Sequence, residues 1–159
     1  DYFAINNPEY TIYMVGPVDN LVQNKTSKLS NNIIFVGKLE HEEIKKYIYS
    51  GDIMIIPFII NDLIKGVDPV KIYEYLAFNK NVISSYWEEL NFYKENPNVK
   101  FYKNQEEFCK IIKDGVISTI SSRNEEFIFE NSWEKRVEDY IVILKSVNRG
   151  KLAQKKHIR

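Results

Sequence analysis

The 159-residue chain holds a single cysteine, Cys109, and two histidines, His41 and His157. One cysteine excludes an intrachain disulfide, and one cysteine with two histidines falls short of the four ligands of a structural zinc centre. No apolar run approaches the ~18 residues that span a bilayer, and no basic stretch leads into a hydrophobic one at the start. G-x-G-x-x-G and Walker patterns are absent, so the usual signatures of dinucleotide oxidoreductases and P-loop hydrolases are missing. Charge of one sign is also missing: 22 Lys and Arg balance 22 Asp and Glu, which gives no reason to expect nucleic acid as a partner. These absences leave a reducing cytoplasm as the expected setting. The local exception is a basic tail over 149–159 with Lys151, Lys155, Lys156 and Arg159. It reads first as a solvated end and second as a weak contact for anionic lipid at the inner face of a membrane. The Asn24-Lys25-Thr26 sequon carries no weight without a sign of secretion.

What is present describes one globular domain over 1–159, since 44% apolar and 28% charged residues are ordinary for a packed chain of this length. Thr11–Pro17, Asn31–Lys38 and Asp52–Phe58 are strand-like runs, and "NVISS" and "NVKFYK" are shorter ones. Runs apolar on both faces favour parallel strands over half-exposed antiparallel ones. Helical patterns lie between them. Ile44, Tyr47 and Ile48 share a face of a segment closed by Gly51, the expected C-cap. Asn104 and Glu107 have capping-box spacing ahead of an apolar stripe of Phe108, Ile111 and Ile112, on whose apolar side Cys109 is read as a core thiol. Asn131 and Glu134 repeat that spacing before a terminal helix over 131–148, where Trp133, Val137, Tyr140, Ile141, Leu144 and Val147 form a stripe that needs a cover. Strand alternating with helix predicts an α/β fold: a Rossmann-like open parallel sheet with helices on both faces.

The stretch "DPVKIYEYLAFNKNVISS" (Asp68–Ser85) asks for more than packing. Asp68 is a good N-cap and Pro69 fits the first helical position, with Val70 and Lys71 next. Val70, Tyr73 and Ala77 form the face suited to the sheet. Free N–H groups of a first turn favour an anion, Lys71 adds a cation, and Glu74 is placed to accept from adjacent hydroxyls of a ribose. Together these describe a nucleotide site. On spacing alone, an exposed i,i+3 ion pair between Lys71 and Glu74 is the better reading. Position weighs the other way, because the helix follows the end of the Asp52–Phe58 strand, the edge where open α/β sheets hold ligands.

From about Pro8 to Leu144 the chain resembles the C-terminal, nucleotide-sugar-binding domain of GT-B-fold glycosyltransferases, in particular the retaining type that builds bacterial surface polysaccharides. The likeness is carried by "NNIIFVGKLEHEEIKKYIYSGDIMIIPF", "SWEKRVEDYI" and above all Pro69, Lys71, Glu74, Tyr75, Leu76 and Ala77, followed by Asn79, Lys80 and Val82. The resemblance implies that Glu74 holds the ribose hydroxyls and that Lys71 faces the diphosphate as the catalytic cation. It further implies that the loop after Gly16-Pro17 approaches the base, and that the donor lies against the loop after Phe58. Pro69 and Val70 would supply the helix start. The implied substrate is a nucleoside diphosphate sugar, a UDP-sugar by preference. No cofactor is implied, and no metal, since no carboxylate–x–carboxylate pair stands beside a strand end and Asp52 precedes its strand.

Two departures qualify the likeness. Many retaining relatives carry two glutamates separated by seven residues, whereas eight positions before Glu74 stands Gly66. The N-terminal acceptor-binding domain, and the first strand and glycine-containing loop of this domain, also fall outside the likeness. "DYFAINNPEY" reads as the tail of the helix that follows them. The missing strand would lie between Thr11–Pro17 and Asp52–Phe58, and this chain alone is expected to be inactive. The acceptor would be a glycan or a lipid-linked hydroxyl, with peripheral membrane contact. The rival reading is a non-catalytic α/β interaction or scaffold module that exposes the stripe of its last helix. A receiver-like module would need an aspartate at a strand end, where Gly16, Gly37 and Phe58 stand. His41 reads as solvent-facing or capping, His157 as part of the tail, and Tyr86 and Trp87 as pocket, core or helix-start residues alike.

Overall fold

The structure, a computed structural model, describes residues 1–19, 29–115 and 122–156, with side chains in the last two helices from Asn124 to Val147. Asn24, His157 and Arg159 lie outside those residues, as do the side chains of Lys151, Lys155 and Lys156. Two compact units are present, Asp1–Thr119 and Ile120–Arg159.

The first unit runs α1 (Tyr2–Asn6), β1 (Ile12–Val15), β2 (Ile33–Gly37), α2 (His41–Ser50), β3 (Ile53–Ile56), α3 (Val70–Ala77), β4 (Asn81–Ser85), β5 (Val99–Tyr102) and α4 (Gln105–Lys113). Short 3₁₀ turns at Ile64–Gly66 and Glu88–Tyr93 precede α3 and β5. β1 pairs parallel with β2, β3 with β4, and β4 with β5. This is the expected parallel open-sheet α/β architecture of the generic Rossmann-like kind, with helices on both faces. The sheet is not continuous. β1–β2 and β3–β4–β5 are separate ladders, with no pairing between β1 and β3.

Alternation along β4 explains how both faces are filled. Ile83, fully buried, packs with Phe3 of α1 and Ile112 of α4 in one cluster. Ile12, Ile53, Tyr102, Phe108, Ile111 and the partly buried Cys109 pack around that cluster. Val82 points to the opposite face, and all five β4 residues are buried. Burying an aliphatic side chain of this size contributes about 1.5–3 kcal/mol, so β4 is the strongest part of the unit. Asn32 ties α1 to β2: its amide nitrogen donates to the carbonyls of Ala4 (3.0 Å) and Tyr10 (2.8 Å).

The helix ends show where local signals sufficed. Asn104 accepts from the Glu107 N–H at 2.9 Å, as its spacing predicted. The Glu107 carboxylate reaches back to the Lys103 N–H at 2.8 Å, one residue before the usual capping-box partner. Gly51 closes α2 as its C-cap, as expected, in an extended conformation (φ −73). Its use is close approach: a Cβ there would sit 3.2 Å from the Tyr47 carbonyl and 2.5 Å from the end of Met54. The second unit pairs α5 (Ser122–Glu130) with α6 (Trp133–Lys156), whose backbone continues past residue 148. Its N-cap is Ser132, whose hydroxyl accepts from the Lys135 N–H at 3.2 Å, not Asn131. Asn131 closes the helix before it by donating to the Phe127 carbonyl at 2.8 Å.

Candidate functional site

Parallel pairing of β3 with β4 forces α3 to run back across the sheet, so its first turn stands at the C-terminal edge of β3. The helix begins one residue later than its sequence suggested. Pro69 is extended (ψ 110) and occupies the N-cap, not the first helical position, and no side chain caps it. Asp68 does not cap. Its carboxylate accepts from the Tyr73 hydroxyl at 2.7 Å and from the Tyr93 hydroxyl. Tyr93 is buried, and burial, with the Asp68 contact adding, pushes its phenol far above the usual tyrosine range. The hydroxyl therefore stays a donor, and Asp68 ties the start of α3 to the Glu88–Tyr93 turn. That pairing leaves the N–H groups of the first turn without a competing aspartate.

The buried face of α3 also differs from expectation. Ile72 and Leu76 are fully buried and Pro69 is buried, whereas Val70 is 67% exposed and Ala77 is exposed. The i,i+4 pair Ile72–Leu76 is the stronger apolar signal. The far end closes in a Schellman motif: the Lys80 N–H donates to Tyr75 O (3.0 Å) and the Asn79 N–H to Leu76 O (2.9 Å). Asn79 is left-handed (φ 54), which asparagine tolerates.

The loop before α3 is held from below. Phe58 stacks on Trp87 with centroids 5.8 Å apart, and the Trp87 indole N–H donates to Val67 O at 2.9 Å. The Ser85 hydroxyl donates to Phe58 O at 2.9 Å. Trp87 is thus a buried residue that braces two ends of one loop, the role its sequence position left open. Neither Val67 nor Ser85 was singled out by sequence. Their contacts are to backbone carbonyls and have no residue-type signature.

On this braced edge Lys71 and Glu74 are both exposed. Among the described residues they form no ion pair with each other or with another group, so the i,i+3 pair favoured by spacing is not made. Glu74 helps to raise the phenol of its neighbour Tyr75, after burial, which is the larger cause. Gly16 lies just past β1, donating to Gly37 O at 2.9 Å, with a φ of 141 that favours glycine; Pro17 after it is exposed. The structure brings Phe58, Pro69, Val70, Lys71 and Glu74 to one loop–helix junction after β3. No hydrogen bond between described residues joins Gly16 or Pro17 to Lys71 or Glu74.

A second feature of the C-terminal edge escaped sequence reading. Tyr86, directly after β4, has Lys94 Nζ 5.0 Å and Lys103 Nζ 5.4 Å from its ring centroid. With Phe101 and Glu107 these residues line an open cavity of ≈ 200 Å³. Only the fold brings the three together. His41 is exposed at the start of α2. Among the described residues no three His, Cys, Asp or Glu side chains converge as metal ligands, and no helix is long and apolar enough to cross a membrane. A scan against protein-family models finds no match, and a search of curated proteins finds none.

Proposed function

We propose that this chain is the donor-binding part of a glycosyltransferase that moves a sugar from a nucleoside diphosphate sugar to a hydroxyl of a glycan or lipid-linked acceptor. The observation that carries the reading is the pair Lys71 and Glu74: two opposite charges one turn apart, both exposed, unpaired with each other, at the edge after β3. Their place at the C-terminal edge of a parallel strand, where open α/β sheets hold ligands, supports a role toward a ligand. The resemblance of Pro69–Ala77 to a GT-B donor-binding helix points the same way. In this reading the first-turn N–H groups and Lys71 meet the diphosphate, and Glu74 accepts from the ribose hydroxyls. Lys71 would balance charge that develops on the leaving diphosphate, an interaction strongest in the transition state. Gly16 and Pro17 would approach the base and Phe58 the donor, UDP by preference. An acceptor-binding domain and a peripheral membrane contact belong to the same proposal.

Calorimetric titration with UDP, GDP and TDP tests it. Glu74→Ala should weaken binding of the preferred nucleotide at least tenfold, about 1.4 kcal/mol. In an active enzyme containing this domain, Lys71→Ala should lower turnover more than donor affinity. Unchanged nucleotide binding after Glu74→Ala would remove the ribose assignment. The scaffold reading has one observation in its favour: the last helix carries an apolar stripe through Trp133, Val137, Tyr140, Ile141, Leu144 and Val147. Absence of any nucleotide binding would favour that alternative.

A further inference from the structure

We infer that the cavity at the C-terminal ends of β4 and β5 binds a second, small ligand: a monosaccharide carrying a phosphate monoester. Its lining is Tyr86, Lys94, Phe101, Lys103 and Glu107. Tyr86 is fixed from three sides. Its N–H donates to Tyr102 O at 3.0 Å, its hydroxyl donates to Asn91 Oδ1 at 2.8 Å, and its ring meets Phe101 edge-on with centroids 5.9 Å apart. Asn91 also places Lys94, because its carbonyl accepts from the Lys94 N–H at 3.2 Å. Lys103 directly follows β5, and its N–H donates to the Glu107 carboxylate at 2.8 Å. Both lysines thus start from fixed backbone. Their ammonium groups meet at one ring, 5.0 and 5.4 Å from its centroid. Since β3, β4 and β5 run parallel, this cavity opens on the same edge of the sheet as the β3–α3 junction, the edge where open α/β sheets hold ligands.

Charge, acceptors and room together name the ligand. Two convergent ammonium groups are matched by a phosphate monoester, which carries about −1.5 to −2 at neutral pH. A carboxylate or a phosphodiester brings a single negative charge. A ring holds an exposed ammonium weakly, whereas charge-assisted hydrogen bonds to phosphate oxygens are strong, so both lysines can turn to such a ligand. The other polar groups of the lining accept. The Glu107 carboxylate has acceptor capacity beyond its bond from the Lys103 N–H, and the Tyr86 oxygen keeps its own after donating to Asn91. Acceptors beside an anion site call for uncharged donors on the same ligand, which the hydroxyls of a sugar supply. Phe101 adds an apolar wall for the C–H side of the sugar ring. A volume of ≈ 200 Å³ lies below the ~300–1,000 Å³ of pockets for larger ligands, which suits one sugar ring and excludes a whole nucleotide-sugar. The inference therefore goes beyond the donor reading and does not depend on it.

Chemical-shift titration of the chain with glucose 6-phosphate tests this, read at the backbone amides of Tyr86, Lys94 and Lys103. Saturable shifts are expected there, with at least a tenfold weaker affinity in the Lys94→Gln/Lys103→Gln protein. Glucose and inorganic phosphate, each alone, should bind the wild type at least tenfold more weakly than glucose 6-phosphate. Those comparisons stand even if the double variant does not fold. Absence of saturable shifts at these amides overturns the inference, as does unchanged affinity in a folded double variant. Equal affinity for glucose would remove the role of the lysines and overturns it too. Equal affinity for inorganic phosphate or for short-chain phosphatidic acid would leave an anion site without a sugar, which overturns the named ligand. UDP separates this cavity from the β3–α3 junction. Displacement of glucose 6-phosphate by UDP, or shifts at Lys71 and Glu74 in place of these amides, overturns a second site. A chain that binds no UDP would break the donor reading and is still expected to bind glucose 6-phosphate here.

Discussion

The two ladders of the first unit start from similar apolar runs and reach different ends. In β3–β4–β5 the middle strand is buried at every residue, with Val82 and Ile83 fully enclosed. In β1–β2, Tyr13, Met14 and Ile34 remain 41–54% exposed although the residues are as apolar. Composition therefore does not decide burial here; the number of paired edges does. β4 has a neighbour on each side and helices on both faces, whereas β1 has one neighbour. The candidate ligand residues belong to the well-packed half. Lys71 and Glu74 sit on a helix held by Ile72 and Leu76, and the loop before it is braced by Trp87 and by Asp68 with its two tyrosines.

The contrast is most sharply broken by core truncation. Ile83→Ala, at a fully buried site that serves both ladders through the shared cluster, should cost about 2–5 kcal/mol in urea unfolding. Met14→Ala should cost well under that, and equal losses at the two positions would contradict the comparison. Next in size is Asp68→Ala. It leaves the buried Tyr93 hydroxyl without that acceptor and should cost about 1–3 kcal/mol. The same contact has a pH signature. The folded-state Tyr93 phenol lies above its ordinary 10.0, so its contribution is whole below pH 10 and falls away as pH rises beyond that. Tyr93→Phe should flatten this alkaline loss, and an unchanged profile would assign it to other tyrosines. The smallest effect is expected where the ligand reading is strongest. Lys71→Ala and Glu74→Ala should each change stability by no more than about 0.5 kcal/mol, because both are exposed and unpaired.

Much of this was legible because the signals are local. The five strands announce themselves as β-branched runs ended by glycine, proline or polar residues, and Asn104 caps its helix from adjacent residues. Asp68 was misjudged because its partner Tyr93 lies 25 residues away and outcompetes a local capping bond. The buried face of α3 was offset by one position, although Ile72 and Leu76 carried the better i,i+4 signal. Ser132 displaced Asn131 as a cap because the shorter hydroxyl side chain serves the next turn while asparagine closes the previous one. The cation–π arrangement of Lys94, Tyr86 and Lys103 depends on β4 and β5 lying side by side, which no local pattern records. The exposed pair at α3 was legible by type and position, and the structure adds that its two members do not neutralise each other.

The proposed role of the β3–α3 junction is to receive a nucleotide. Its most direct test is paired calorimetric titration of UDP into the wild-type chain and into Glu74→Ala, with both proteins shown to unfold at the same urea concentration. Saturable binding to the wild type is expected, with at least a tenfold weaker affinity in the variant. Equal affinities in the two proteins, or no binding of UDP, GDP or TDP to either, would contradict it.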